Sequence, residues 1–316
     1  MGRYVVTGCA GFVGSHLAAS LLDRGDEVLG VDSFTDYYAR SLKEENLANL
    51  RERDAFSFGE ADLAEDALEP LVEGADGVFH LAAQPGVRGS WGSTFAVYVR
   101  DNVVATQRLF EVASRLSVKV VFASSSSVYG DAEAYPTPEE TPPRPISPYG
   151  VTKLGCEHLA AAYHRGFGLD VVGLRYFTVY GPRQRPDMAF TRITTAVVRG
   201  QRFHVFGTGE QSRDFTYVAD AVAATIASMD RGPSWAVYNV GGGQEASLRD
   251  VIGMCEELSD RRLDVVYDEA MAGDVRRTAA DTARIRRDLG WTPETGLEDG
   301  LRAQLDWAER RVPAAT

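Results

Sequence analysis

The chain opens on Arg3-Tyr-Val-Val-Thr7, an apolar run of strand length. It passes at once into Gly8-Cys-Ala-Gly11-Phe-Val-Gly14 and then into residues 15–22, whose apolar positions recur at helical spacing. Strand, glycine turn and helix in that order allow few folds. Glycines let the backbone turn sharply and approach a pyrophosphate, whose charge is met by unpaired amides and the positive dipole end of the helix. A second apolar run at 27–31 ends in Asp32. A carboxylate there accepts hydrogen bonds from the adenosine ribose hydroxyls and repels a 2'-phosphate. The expected cofactor is NAD rather than NADP.

Further runs of strand character at 55–59, 77–81, 118–123 and 170–175 alternate with helical segments near 65–73, 95–116 and 149–167. Such alternation predicts an α/β fold with a doubly wound parallel sheet. Ligands bind such sheets at the carboxyl ends of the strands. Gly8, Asp62-Leu63, Ala82-Ala83-Gln84 and the four serines 124–127 all stand there. Serine runs elsewhere are flexible linkers, but these follow a buried strand and are read as a loop with fixed hydroxyls. Residues 135–148 hold six of the thirteen prolines and form a stiff crossing loop, with Ser147 and Pro148 as N-cap and first residue of the next helix. Beyond 177 the alternation weakens. The expected organisation is a cofactor-binding domain over 1–177, to which segments near 214–240 return, and a smaller α/β substrate lobe over 178–316. Gly241-Gly-Gly243 reads as a turn before a Ser247/Asp250 capping box.

A formal net charge of −12 over 316 residues argues against nucleic acid or an anionic membrane as the main partner. Cys9, Cys156 and Cys255 match no zinc spacing and the five histidines are scattered; with a core strand at 3–7, a secretory or membrane segment is not expected. A cytoplasmic location without a metal is expected. Charge is distributed unevenly. From 175 to 213 there are seven arginines (175, 183, 185, 192, 199, 202, 213) against Asp187 and Glu210, a local balance of +5. Arginine's planar fork suits phosphate and carboxylate, so an acidic ligand is implied. Arg183, Arg185, Arg192 and Arg213 are the candidate binders, and Arg199 and Arg202 belong to a solvated face.

Tyr149-Gly-Val-Thr-Lys153 sets a phenol and an ammonium one helical turn apart on one face. A free tyrosine has a pKa of about 10, and a neighbouring cation favours its phenolate. Tyr149 is thus a candidate proton carrier.

The glycine turn, the serine strand end and Tyr149-x-x-x-Lys153 together resemble the extended short-chain dehydrogenase/reductase family of sugar-nucleotide epimerases and dehydratases. More narrowly, Asp32-Ser-Phe-Thr-Asp-Tyr-Tyr38, Ala83-Gln-Pro-Gly-Val-Arg88, Ser124-Ser-Ser-Ser-Val-Tyr-Gly130, Arg175-Tyr-Phe-Thr-Val-Tyr-Gly-Pro182, Arg185-Pro-Asp-Met-Ala189 and Arg213-Asp-Phe-Thr-Tyr217 are similar to UDP-glucuronate 4-epimerases. The resemblance implies a Rossmann-type lobe carrying NAD on Gly8, Gly11, Phe12, Val13, Gly14, Asp32, Asp62, Leu63, Ala82, Asn102, Tyr149, Lys153 and Tyr176. It implies a catalytic set of Ser125, Tyr149 and Lys153. The UDP-sugar would meet Arg88, Ser125, Tyr149, Val205, Phe206, Arg213 and Asp274, with Ser126, Ser127 and Thr178 and either Arg185 or Arg192 on the sugar carboxylate. Arg192 is also a candidate for the diphosphate.

Dehydratase relatives carry Asp-Glu at the serine pair, and decarboxylases place Glu where Ser127 stands. The implied reaction is therefore oxidation at C4, rotation of the 4-keto sugar and reduction on its other face, giving UDP-galacturonate from UDP-glucuronate. A UDP-glucuronate decarboxylase, a UDP-glucose-type 4-epimerase and, more distantly, a non-catalytic nucleotide-binding regulator are the alternatives. The family also implies a homodimer through the Tyr149 helix and the one before it, where Leu154, Leu159 and residues 160–162 give an apolar surface that core packing explains equally well.

Overall fold

The apolar runs of the first half become strands of one parallel sheet; Arg3–Thr7, Gly77–His80, Lys119–Ser125 and Val171–Tyr176 are largely buried, as a sheet covered by helices requires, while the run at 55–59 forms a half-exposed edge strand. The computed structural model describes residues 1–269 and 275–311; Asp274, expected at the substrate, lies outside them. In chain order the first half contains β1 (Arg3–Thr7), α1 (Phe12–Asp23), β2 (Glu27–Asp32), α2 (Arg40–Arg51), β3 (Phe56–Glu60), α3 (Glu69–Val72) and β4 (Gly77–His80). It continues with α4 (Phe95–Tyr98), α5 (Ala105–Leu116), β5 (Lys119–Ser125), α6 (Pro148–Phe167) and β6 (Val171–Tyr176). Then come β7 (Thr178–Tyr180), α7 (Ala189–Arg199), β8 (Phe203–Phe206), β9 (Ser212–Tyr217), α8 (Val218–Arg231) and β10 (Trp235–Val240). The chain closes with β11 (Gln244–Ser247), α9 (Leu248–Ser259), β12 (Val265–Asp268), α10 (Ala283–Leu289) and α11 (Leu297–Arg310).

Seven parallel strands form the main sheet in the order β10-β6-β5-β4-β1-β2-β3. The order reverses between β1 and β4, so the crevice for a ligand opens at their carboxyl ends. One face is packed by Leu17, Leu21, Leu47, Val222 and Ile285 from α1, α2, α8 and α10. The other is packed by Val72, Leu109, Phe110 and Ala160 from α3, α5 and α6. The smaller lobe sets the β11-β9-β7 sheet and the β12-β8 pair against α7, α9 and α11, around Phe190, Ile193, Leu301 and Leu305. Segments near 214–240 go to different sheets. β10 completes the main sheet and α8 packs on α1, while β9 stays in the small lobe.

Several local expectations change. The helix near 65–73 is a single turn at 69–72, and the segment 95–116 is interrupted by a π-helical stretch at Val99–Val104. Asn102, inside that stretch, turns inward to accept from Gln84 N at 2.7 Å and donate to Thr152 Oγ1 at 3.0 Å. Wide turns of this kind mark sites where a helix must present one side chain out of its regular phase. Helix α2 had no predicted counterpart, because two of its four buried positions are Lys43 and Asn46. The capping predictions hold: Ser147 accepts from Gly150 N with Pro148 in the first turn, and Ser247 and Asp250 form a reciprocal capping box.

Candidate active site

The glycine turn works by close approach. A side chain on Gly14 would place its Cβ 2.2 Å from the Gly8 carbonyl oxygen, so α1 can start this near β1 only with glycine there. Gly11, the N-cap of α1, brings no side chain to the first amides. Those amides remain available to an anion. Across the turn, Asp32 accepts from Ala10 N at 3.1 Å and Phe34 N at 2.9 Å. Burial raises its pKa against the pull of those amides and of Lys43.

At the other end of the sheet's mouth, Gly150 lets α6 rest on the serine loop; a Cβ there would lie 2.5 Å from the Ser127 carbonyl oxygen. This contact delivers Tyr149 beside the serines. Lys153 Nζ stands 5.9 Å from the centre of the Tyr149 ring and donates to the Ala123 carbonyl at 2.9 Å. Ser125 Oγ accepts from Ser127 N at 3.1 Å and donates to Ser127 Oγ at 3.0 Å, so the hydroxyls are held as expected of a fixed loop. Ser124 points the opposite way, to Glu157 on α6 at 2.5 Å.

These groups line one cleft of about 430 Å³, within the range of small-ligand sites. Its wall contains Gly8, Gly11, Phe12, Val13, Gly14, Asp32, Asp62, Leu63, Ala82, Ser125, Ser126, Ser127, Tyr149, Lys153, Tyr176, Thr178 and Arg185. A side hollow of about 180 Å³ shares Ser126, Ser127 and Thr178 with it and adds Arg213. Arg88 comes from the main domain to lie 4.8 Å from the ring centre of Phe206 in the small lobe. Arg192, on α7, stands 5.3 Å from the Phe203 ring on β8, away from the main cleft wall. Asn102 is buried behind the wall and holds Gln84 rather than lining the cleft. Val205 is 1% exposed in the small-lobe core, which leaves only its backbone to meet a ligand. Arg183 approaches Ser15 Oγ at 3.4 Å, and neighbouring Pro182 O is bonded by His16 Nε2 at 2.9 Å, so that turn joins the lobes.

Sequence reasoning missed part of the wall. Tyr37, Tyr38 and Lys43 line the cleft near Asp32, although the first two lie in a stretch already singled out. Tyr98 packs edge-on against Tyr149, with ring centres 6.2 Å apart, and directs its hydroxyl at the carbonyls of Pro85 and Gly86, 2.9 Å from each. Burial pushes the Tyr98 phenol up to about 12, which keeps it a donor. His80, which bridges Thr7 Oγ1 at 2.8 Å and Thr106 Oγ1 at 2.9 Å, is pushed down to about 3 by burial and by Lys153, and so is neutral.

Among known proteins, the family model described as GDP-mannose 4,6 dehydratase matches residues 5–304. A Bacillus subtilis protein named as an uncharacterised UDP-glucose epimerase is 42% identical over 306 residues, 96% of each chain. The crystal structure of a UDP-glucuronic acid 4-epimerase from Bacillus cereus in complex with UDP-glucuronic acid and NAD superposes with a TM-score of 0.94 at 40% identity, covering 98% of this chain and 99% of that one. MoeE5 in complex with UDP-glucuronic acid and NAD gives 0.88 at 43% identity, covering 98% and 100%. MoeE5 is also known in complex with UDP-glucose and NAD.

Proposed function

This chain belongs to the GDP-mannose 4,6-dehydratase family of extended short-chain dehydrogenases/reductases, and we propose that it epimerises UDP-glucuronic acid at C4 to UDP-galacturonic acid with NAD and no net redox change. One observation carries the proposal: three serine hydroxyls, Thr178 and Arg185 line the same cleft as Tyr149 and Lys153. Hydroxyls and a guanidinium suit a sugar carboxylate. The solved relatives bound to UDP-glucuronic acid and NAD support the same reading.

The cleft fits NAD. The uncapped start of α1 would hold the pyrophosphate, Asp32 the adenosine ribose, and Tyr149, Lys153 and Tyr176 the nicotinamide end. When bound, NAD supplies an acceptor that takes a hydride from C4 and returns it. Tyr149 takes the C4 hydroxyl proton and gives it back, Lys153 favours the phenolate, and Ser125 hydrogen-bonds the same oxygen. The 4-keto sugar must turn over before its reduction. Because it is a β-keto acid, its carboxylate has to be held out of alignment for loss of CO2; Ser126, Ser127, Thr178 and Arg185 are the groups for that grip. Arg213 in the side hollow serves the diphosphate, with Arg88 and Phe206 beside the nucleoside.

A homodimer belongs to the same proposal. Of the apolar residues expected at the interface, Ala160 is buried in the core and Leu154 and Leu159 are partly buried against it. Among the described residues, Val151, Ala162 and Phe167 on α6 and Val104 just before α5 are exposed. No helix among the described residues is long and apolar enough to cross a membrane, and a cytoplasmic site of action completes the reading.

Incubation with UDP-glucuronate, followed by chromatography, tests the function. UDP-galacturonate should appear, the same mixture should form from either epimer, and Tyr149→Phe should lower turnover by roughly 10²-fold to 10⁴-fold. Accumulation of a UDP-pentose, or turnover of UDP-glucose with none of UDP-glucuronate, sinks it.

A further inference from the structure

We propose that Glu157 and Arg175, a buried ion pair behind the cleft, are positioning residues that set where Tyr149 and Lys153 stand relative to Ser125. The proposal rests on the epimerase reading of the cleft. Glu157 follows Lys153 by four residues and Tyr149 by eight, so the three share one face of α6. It is 6% exposed and Arg175 is 5% exposed. Glu157 Oε1 accepts from Arg175 Nε at 2.9 Å and Oε2 from Arg175 Nη2 at 2.7 Å, a two-point fork. Oε1 also accepts from Ser124 Oγ at 2.5 Å.

Each partner is the immediate neighbour of a site residue. Ser124 precedes Ser125 on β5, Arg175 precedes Tyr176 on β6, and the sheet pairs Ser124 with Arg175 and Ser125 with Tyr176. The carboxylate thus grips the sheet one residue behind the reacting groups. With Lys153 Nζ on the Ala123 carbonyl at 2.9 Å, helix α6 is tied to β5 at two successive residues. Arg175 Nη1 carries the bracing outward, donating to Tyr129 OH at 2.7 Å and to the Glu139 carbonyl at 3.1 Å. Tyr129 OH then donates to Asn239 Oδ1 on β10 at 2.7 Å.

A buried ion pair is a weak source of stability compared with apolar residues of similar volume. A forked pair does fix distance and direction, which greasy packing does not. Catalysis by proton and hydride transfer is sensitive to that difference, because a displacement of about 1 Å can cost roughly 10²-fold in rate.

The test separates geometry from stability. Glu157→Met combined with Arg175→Met removes both charges together and leaves neither buried alone. The expected result is a Tm within about 3 °C of the parent, unchanged NAD content and KM, and kcat lower by roughly 10²-fold. A kcat at the parent's level, a kcat that falls only as far as Tm and NAD content fall with it, or an effect confined to KM overturns the proposal. Ser124→Ala provides a milder second arm should the double variant not fold. It removes one tie and little packing, and should lower kcat about tenfold at unchanged KM; unchanged kcat overturns the proposal. The parent protein is assayed first, and failure to turn over UDP-glucuronate would reject the epimerase reading itself rather than the positioning role.

Discussion

Arg185→Met should convert a preference for the uronate into near indifference between UDP-glucuronate and UDP-glucose. The Arg185 guanidinium is engaged on one edge by Asp187, with Nε and Nη2 each 3.0 Å from a carboxylate oxygen. That leaves Nη1 and the second Nη2 hydrogen as donors for a sugar carboxylate. A hydrogen bond to a charged group contributes about 1.5 to 3 kcal/mol. Here the lower end applies, because Asp187 already shares the cation and the arginine side chain is 19% exposed. About 1.5 kcal/mol corresponds to roughly a tenfold loss in kcat/KM. Asp187, 40% exposed, stays hydrated when its partner is removed, so the stability loss should stay below about 1 kcal/mol.

The assay is the ratio of initial epimerisation rates on the two sugars at low substrate. Arg185→Met should lose about tenfold on UDP-glucuronate and less than about twofold on UDP-glucose. Arg192→Met is the internal comparison. Its guanidinium lies against Phe203 on the small lobe, so it should affect both sugars alike. Equal losses on both sugars from Arg185→Met would place that arginine on the diphosphate and refute the reasoning.

Two further outcomes follow from the cofactor side of the sheet. Gly14→Ala puts a Cβ 2.2 Å from the Gly8 carbonyl oxygen, so α1 must shift from the turn; protein purified from this variant should carry little NAD and lose about 1 to 3 kcal/mol of stability, and full NAD content by absorbance would contradict this. His80 has a folded-state pKa lowered from 6.5 to about 3 by burial, so the unfolded chain takes up a proton that the folded one refuses, and stability falls as pH drops below 6.5. That contributes about 1.6 kcal/mol of loss between pH 6.5 and 5, which urea titrations of His80→Gln should show as a shallower slope than the parent; parallel slopes would reject it.

What the residues disclosed beforehand divides along physical lines. The main sheet was legible because its strands are continuous apolar runs, and Gly8, Gly14 and Asp32 sit where a turn and a strand end leave little choice. Helix α2 was hidden because Lys43 and Asn46 are buried by local partners: Lys43 Nζ donates to the Thr35 carbonyl at 2.6 Å, and Asn46 to the Ala10 carbonyl at 3.0 Å. The arginine cluster shows the deeper limit. Counted along the chain it is a +5 patch, yet in space its members part company. Arg175 enters the core against Glu157, Arg202 pairs with Asp264 on the surface, Arg185 lines the main cleft and Arg213 the side hollow. Net charge over a segment reports only what a distant ligand would feel if every charge shared one face. β6 and the elements that follow it send theirs in different directions, and a partner eighteen residues earlier on α6 cannot be found by summing charge over a window. The same folding that cancels Arg175 as a ligand contact places its pair with Glu157 one residue behind Ser125 and Tyr176, where a fixed distance matters more to the chemistry than a free charge would.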